Sequence, residues 1–330
     1  MWHVVGAGPL GSLFAARLAR AGSSRVRLVL REPTWAAVGR PARATLQVQD
    51  GYTGGEGQRW SAEVDMEPVE AEGPIRNAVV ATKAGDARDA VARLRGRFSD
   101  DAVVLLLSNG GMGVHEELMA DDRVRNLSYL LGCTTHGAYA TRDRIVHAGL
   151  GQTWVGAAPG STVPRERLYE LAASLDEAGL RVSVEERIAG ALWRKLSANA
   201  ALNGLTALLD CRNGEIVGRR HGRELMEALC REVACVMRAE ALDADGLAEY
   251  AAGVARDTAA NFSSMHQDVA AGRPTEVPYI NGYVARAAER NGLAAPVNEA
   301  VCHLVRLKEQ IQASKKPRGG RGGASAARPN

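Results

Sequence analysis

The chain lacks the cysteine pairs that would staple it: its five cysteines, Cys133, Cys211, Cys230, Cys235 and Cys302, are odd in number and scattered. None has the spacing of a zinc site or a redox dithiol, so they are expected to be reduced thiols, with no metal bound and a cytoplasmic location. Also missing is any run near the roughly 20 apolar residues of a membrane helix. The apolar start Met1–Ala21 has no basic leader and carries glycines at its centre, which argues against a secretion signal. Charge of one sign is not in excess either. The formal net charge is +3, but five of the 41 basic residues, Lys315, Lys316, Arg318, Arg321 and Arg328, sit in the last stretch, leaving 36 against 38 acidic ones. Such a body has no field that would gather nucleic acid or an anionic membrane.

What the 330 residues do have is enough apolar material, 46%, for two domains. The first half alternates apolar runs with helical periodicity. Trp2–Val5, Val26–Leu30, Ala78–Ala81, Val103–Leu107 and Asn126–Leu131 are strand candidates, and Ser12–Ala21, Asp86–Leu94 and Arg165–Ala178 are helix candidates. That order predicts a mostly parallel sheet with helices on both faces. Thr45–Glu63 fits a hairpin or irregular insert, and Arg144–His147 and Thr153–Val155 suggest strands that extend the sheet.

Past Glu186 the strand signals fade, and helical patterns follow at Ile188–Leu209, Arg223–Ala241, Thr275–Asn291 and Pro296–Gln312. The expected architecture is a Rossmann-type α/β amino-terminal domain over 1–186, an all-helical carboxy-terminal domain over 187–313 and a disordered tail over 314–330.

Gly6-Ala7-Gly8-Pro9-Leu10-Gly11 follows the first strand and opens the first helix. At this spacing Gly6 permits a tight turn, Gly8 lets backbone amides approach a pyrophosphate, and Gly11 lets the helix pack close to the sheet. Pro9 suits a first turn, whose N–H groups lack helical partners. The end of the second strand meets the adenine ribose in this fold, and there the chain has Arg31, which can pair with a 2′-phosphate, beside an acidic Glu32. The balance favours NADP over NAD. Lys83 and Asn109 follow the third and fourth strands at the ligand-binding edge. Lys83 can reach a cofactor phosphate or remain solvated. Asn109 precedes the pair Gly110-Gly111, which suggests a backbone approaching a ligand closely.

On the apolar stretch Ile188–Leu209, Lys195, Asn199 and Asn203 share one side at i, i+4 and i+8. They either bond between helices or face a cleft, where the ammonium would protonate a carbonyl oxygen as hydride arrives and the amides would orient the substrate. A second polar cluster holds Asn261, Ser263, Ser264 and Asp268. Glu276, expected in the first turn of a helix, can hold a substrate hydroxyl, orient Lys195 or complement the helix dipole.

The segments GAGPLG, VVATKA, SNGGMG, LWRKLSANAALNGLTAL, SSMHQDVAAGRPTEVPYINGYV and AAPVN, in this order over about residues 1–310, resemble the ketopantoate reductase family. The resemblance implies NADPH-dependent reduction of 2-dehydropantoate to pantoate, for pantothenate and coenzyme A synthesis. It places the general acid at Lys195 and a substrate-binding acid at Glu276, with further substrate contacts from Asn199, Asn203, Asn261 and Ser264. It also implies cofactor contacts at Arg31, Lys83 and Asn109, a small 2-oxo acid as ligand and a monomer or homodimer. Ser108 and Gly204 depart from the family's usual glutamine and proline. A same-mechanism reductase of another 2-oxo acid and a cofactor sensor without turnover are the competing readings.

Overall fold

A computed structural model describes residues 1–22, 24–53 and 57–315. The amino-terminal half contains β1 (Trp2–Val5), α1 (Pro9–Ala21), β2 (Val26–Leu30), α2 (Glu32–Ala37), β3 (Arg43–Asp50), β4 (Gln58–Pro68), β5 (Ile75–Val80), α3 (Ala84–Arg93), β6 (Phe98–Leu106), α4 (Gly111–Met119) and β7 (Ser128–Thr134). β8 (Gly137–Ala140), β9 (Ile145–Gly149), β10 (Thr153–Ala157), α5 (Arg165–Leu175) and β11 (Val182–Val184) complete it. Among the described residues all the strands belong to one sheet of eleven, ordered β11-β10-β7-β6-β5-β1-β2-β4-β3-β9-β8.

The run from β7 through β6, β5, β1 and β2 to β4 is parallel, as the buried apolar runs predict. The insert proves to be an antiparallel hairpin of β3 and β4. The two short pieces after Thr135 extend the sheet at opposite ends, β9 beside β3 and β10 beside β7, an arrangement that local sequence could not reveal.

Register fixes what meets at the sheet's edge. Val5 pairs with both Val29 and Val80, and Leu106 with both Val80 and Leu131. The chain therefore leaves all five central strands on one edge, bringing Gly6, Arg31, Lys83, Asn109 and Thr134 to the same rim. The strand order reverses at β1, the place where such sheets open a crevice.

Helices make up the second half: α6 (Ile188–Leu209), α7 (Asn213–Val217), α8 (Arg220–Ala239), α9 (Leu247–Asp257), α10 (Ser264–Ala270), α11 (Asn281–Arg290) and α12 (Pro296–Lys315). α6 is apolar on nearly every side because it is the axle of this half, buried by α8, α9, α10 and α12 and touching β7 and β10 as well. One continuous apolar core joins Val80, Leu106 and Leu131 of the sheet to Trp193 and Leu196 of α6.

Two expectations are corrected. The helix expected from Thr275 begins only at Asn281, because a single 3-10 turn over Val277–Tyr279 and a non-helical Ile280 (φ −108°, ψ −93°) intervene, with Pro278 unable to donate to a preceding carbonyl. α12 continues to Lys315, so Ser314 and Lys315 of the expected disordered tail are helical, and residues 316–330 lie outside the described residues.

A buried polar chain ties α1 to the outer strands. His136 Nε2 lies 2.9 Å from the carbonyl of Leu180, which can only accept, so the proton is on Nε2 and Nδ1 accepts, from the Gly151 N–H at 3.1 Å and from His147 Nε2 at 2.9 Å. His147 Nδ1 in turn accepts from Arg17 at 3.1 Å, and Arg17 pairs with Asp50 at 2.6 Å. Both rings are thereby held neutral. Burial, then the neighbouring His136 ring and the Arg17 charge, against the pull of Asp50, push His147 from the usual 6.5 down to about 4, and burial lowers His136 in the same direction. The unfolded chain takes up these protons below 6.5 while the folded chain resists. Stability is therefore complete above that pH and is lost as pH falls toward about 4. Urea midpoints measured between pH 7 and 4.5 should fall, and fall less steeply in His147→Gln, whose amide can still accept from Arg17 and donate to His136; an equal slope would clear His147 of responsibility.

Candidate active site

The glycine loop fits a dinucleotide on its own geometry. Gly6 has φ +109°, and a Cβ there would sit 3.0 Å from the Thr82 backbone nitrogen. A Cβ on Gly11 would lie 2.1 Å from the Gly6 carbonyl oxygen, so any larger residue would push α1 off the loop. Gly8 is exposed with open space where a side chain would be, and no side chain caps the first turn of α1, which also has no acidic residue. A pyrophosphate laid across Ala7, Gly8, Pro9 and Leu10 meets a bare helix amino terminus.

At the ribose end Arg31 is exposed, 3.4 Å from Asp86, and Glu32 is occupied by Arg40 at 2.7 Å. The acid that spoke against a 2′-phosphate is thus already paired. The Lys83 ammonium turns toward the second half instead of the loop, lying 2.7 Å from Asp268 and donating to the Pro274 carbonyl at 3.0 Å.

Between the halves three of the expected residues form one hydrogen-bonded chain. Lys195 Nζ donates to Asn109 Oδ1 at 3.2 Å and to the Thr134 carbonyl at 2.8 Å. Asn109 Nδ2 donates to Glu276 Oε2 at 3.0 Å, and Glu276 Oε1 accepts the Ala84 N–H at 3.0 Å. Because an ammonium only donates and a carboxylate only accepts, the Asn109 amide has one possible orientation. Burial raises the Glu276 carboxyl above its ordinary range, against the opposing pull of the Ala84 and Asn109 donors and of Lys83, while the like charge of Asp268 adds to the rise.

Two of the three Lys195 hydrogens are used in this way, and the ammonium also borders a small cleft. Ser108, Asn109, Gly110, Met112, Gly132, Cys133, Leu192 and Asn199 line that cleft around the ammonium. Asn199 therefore joins Lys195 as expected. Asn203, one turn further, is buried.

Asn261 and Ser264 lie elsewhere, beside the far half of α6. Ser263, not Ser264, is the buried member of the pair: it caps α10 by accepting the His266 N–H and is 2.7 Å from Thr206. Ser264 and Asn261 are exposed.

The glycine pair after Asn109 has a use that its sequence did not suggest. Gly110 (φ +73°), which also lines the cleft, backs onto Tyr279, where a Cβ would come within 2.5 Å of the Tyr279 carbonyl oxygen, so one close approach it permits is between the two halves. Around that contact Tyr279 and Tyr283 donate to Glu117 and Glu116 of α4 at 3.1 and 2.9 Å. Sequence reasoning missed this clasp, as it missed the Thr134 carbonyl and Asp268 as partners of the two lysines. A backbone acceptor leaves no mark on a sequence, whereas Asp268 stood in a polar cluster already noticed.

A carbonyl carbon placed before Lys195 at the mouth of a dinucleotide crevice is the setting for hydride addition with proton delivery. Models of the family match most of the chain: "Ketopantoate reductase PanE/ApbA" over residues 2–160 and "Ketopantoate reductase PanE/ApbA C terminal" over 187–309. The 2-dehydropantoate 2-reductase of Yersinia pestis is 38% identical over 233 residues, 70% of this chain and 73% of the relative. The chain belongs to the ketopantoate reductase family.

Among solved structures, the 2-dehydropantoate 2-reductase of Methylococcus capsulatus superposes with a TM-score of 0.78 at 25% identity, covering 97% of this chain and 99% of that one. D-mandelate dehydrogenase, solved with NADH and anilino(oxo)acetate, reaches 0.80 at 22% identity, covering 95% and 100%, and shares the fold. A ketopantoate reductase with a raised Glu276 should show an acidic limb in its pH profile of kcat/KM above the ordinary carboxylate range. Glu276→Gln should remove that limb, and its survival in the variant would assign it to another group.

Proposed function

We propose that this chain catalyses the NADPH-dependent reduction of 2-dehydropantoate (ketopantoate) to (R)-pantoate, a step toward pantothenate and coenzyme A. The observation that carries the reading is the Lys195 ammonium, held by Asn109 and the Thr134 carbonyl in a cleft of a ketopantoate reductase family chain. NADPH, when bound, supplies the hydride that adds to C2 of the oxo acid. Lys195 gives its proton to the carbonyl oxygen, which becomes the new hydroxyl. Glu276 accepts from a substrate hydroxyl and, through Asn109, holds Lys195 in place. Asn199 orients the substrate beside Lys195, and Asn203, Asn261 and Ser264 are assigned as further substrate contacts on the strength of the family resemblance.

Gly6 to Gly11 hold the pyrophosphate, Arg31 takes the 2′-phosphate, and Lys83 and Asn109 complete the cofactor side. We divide the chain at residue 186 into a cofactor domain and a helical domain that reaches the end of α12 at Lys315, place it in the cytoplasm and assign it as a monomer or homodimer. Among the described residues no helix is long and apolar enough to cross a membrane.

Oxidation of NADPH by the purified protein with ketopantoate, beside a panel of other 2-oxo acids, tests the reading. A preference for another acid by about two orders of magnitude, some 2.7 kcal/mol in the transition state, would replace the substrate and keep the chemistry. Lys195→Ala should lower kcat by about 10²–10⁴-fold, the usual contribution of a positioned acid, with little change in NADPH affinity. Arg31→Ala should weaken NADPH binding by about tenfold, the scale of one charge-assisted contact at an exposed site, and leave NADH binding unchanged. Equal losses for both cofactors would show that Arg31 does not read the phosphate.

A further inference from the structure

Two asparagines in motifs that contribute nothing to the cleft, Ile280-Asn281-Gly282 and Pro296-Val297-Asn298, are fully buried. They belong to a polar chain with a single permitted direction. Glu232 on α8 accepts the backbone N–H groups of Val297 and Asn298, each at 2.9 Å, and the Asn298 side-chain Nδ2 at 2.8 Å. An ionised carboxylate only accepts, so Asn298 must turn its NH₂ toward Glu232 and its oxygen away. That oxygen accepts from Asn281 Nδ2 at 3.0 Å, which fixes the second amide in turn. The other Nδ2 hydrogen of Asn281 goes to the carbonyl of Ala200 at 2.9 Å.

Ala200 lies in the middle of α6, next to Asn199 and just over one turn beyond Lys195. Its carbonyl is also the helical acceptor for Gly204, so the Asn281 bond is additional to the helix's own ladder. Asn281 Oδ1 meanwhile is buried without a donor. Two acceptors, the Asn298 oxygen set by Glu232 and the Ala200 carbonyl, both require the Asn281 NH₂, so the amide keeps this orientation although its oxygen goes unsatisfied at a cost of about 1–3 kcal/mol.

We propose that Glu232, Asn298 and Asn281 form a strut that sets the position of the catalytic helix, with Asn281 a positioning residue for Lys195. The strut joins α8, the start of α12 and the start of α11 to one carbonyl of α6, and so fixes how far Lys195 reaches toward Asn109 and Thr134. The inference rests on Lys195 as the proton donor of the proposed reaction.

The test is Asn281→Ala in the full chain, with kcat, KM, NADPH affinity by fluorescence titration and hydrogen exchange of the 196–207 segment measured together. Expected are a kcat lower by about tenfold to a hundredfold, as for a slightly misplaced reacting group, with KM and NADPH affinity within about twofold. Exchange in 196–207 should quicken while the strands of the sheet keep their protection, and in a Lys195→Ala background the substitution should cost less than about twofold in kcat. Should Asn281→Ala not fold, Glu232→Gln, whose NH₂ must face the N–H donors of either Val297 or Asn298, should show the same pattern in smaller measure. A folded variant with wild-type kcat and exchange, a loss confined to KM, or an equal loss without Lys195 would overturn the strut. Failure of the wild-type protein to turn over ketopantoate would instead remove the functional reading, and exchange in 196–207 would still decide whether the strut holds α6.

Discussion

The side-chain amide of Asn109 stands between an ammonium and a carboxylate that would otherwise pair directly, and the cleft is organised around that separation. Its oxygen takes a hydrogen from Lys195 and its nitrogen gives one to Glu276. A direct Lys195–Glu276 ion pair in a half-buried site would hold both groups in their charged forms and spend the donor on the acceptor. With the amide between them, Lys195 is oriented by two neutral oxygens, of Asn109 and Thr134, and Glu276 by two N–H donors. Each charged group keeps capacity for a third partner, as a proton donor and a substrate-holding acid require.

That arrangement draws on both halves of the chain, so it depends on how they are joined. Asn109, Ala84 and Thr134 come from the rim of the sheet, and Lys195 and Glu276 from the helical half. Their distances are set by packing at two levels. The apolar core runs without a break from β5, β6 and β7 into α6, which fixes Lys195 against the sheet. The Gly110–Tyr279 contact brings the segment carrying Glu276 against the loop carrying Asn109, and the tyrosine–glutamate bonds to α4 hold it there. A side chain at residue 110 would act on the chemistry without touching the substrate.

Features with local causes were legible in the sequence. The glycine loop, the central parallel strands and α6 follow from patterns of a few residues, and so does the shared face of Lys195 and Asn199. Features decided by distant partners were not. β8 and β9 pair beyond β3, and the Thr134 carbonyl becomes an acceptor, only because of where the chain returns. Glu276 looked like the first turn of a helix because Tyr279–Arg290 has helical periodicity, but Pro278 breaks the turn there. The result is more useful chemically: outside a regular helix the carboxylate can bend back across the interface to the Ala84 N–H. Gly110 was noticed for a close approach of backbone, and the neighbour that the structure adds is Tyr279 of the other half.

Lys83 shows how a residue can have a partner and still be available. Asp268 is buried, so stripping it of every cation would leave an unpaired charge at a cost of several kcal/mol, on the order of 3–5. It has two cations, Lys83 at 2.7 Å and Arg273 at 3.0 Å. If Lys83 turns to a cofactor phosphate, Arg273 stays and the carboxylate remains paired. The exchange is then close to one ion pair for another, with the Pro274 carbonyl, an acceptor at the surface, returned to water. A lysine whose partner had no second cation could not make that exchange at comparable cost, so the contact between Lys83 and the helical half is consistent with the role given to it on the cofactor side. Asp268 and Arg273 are what make the two compatible.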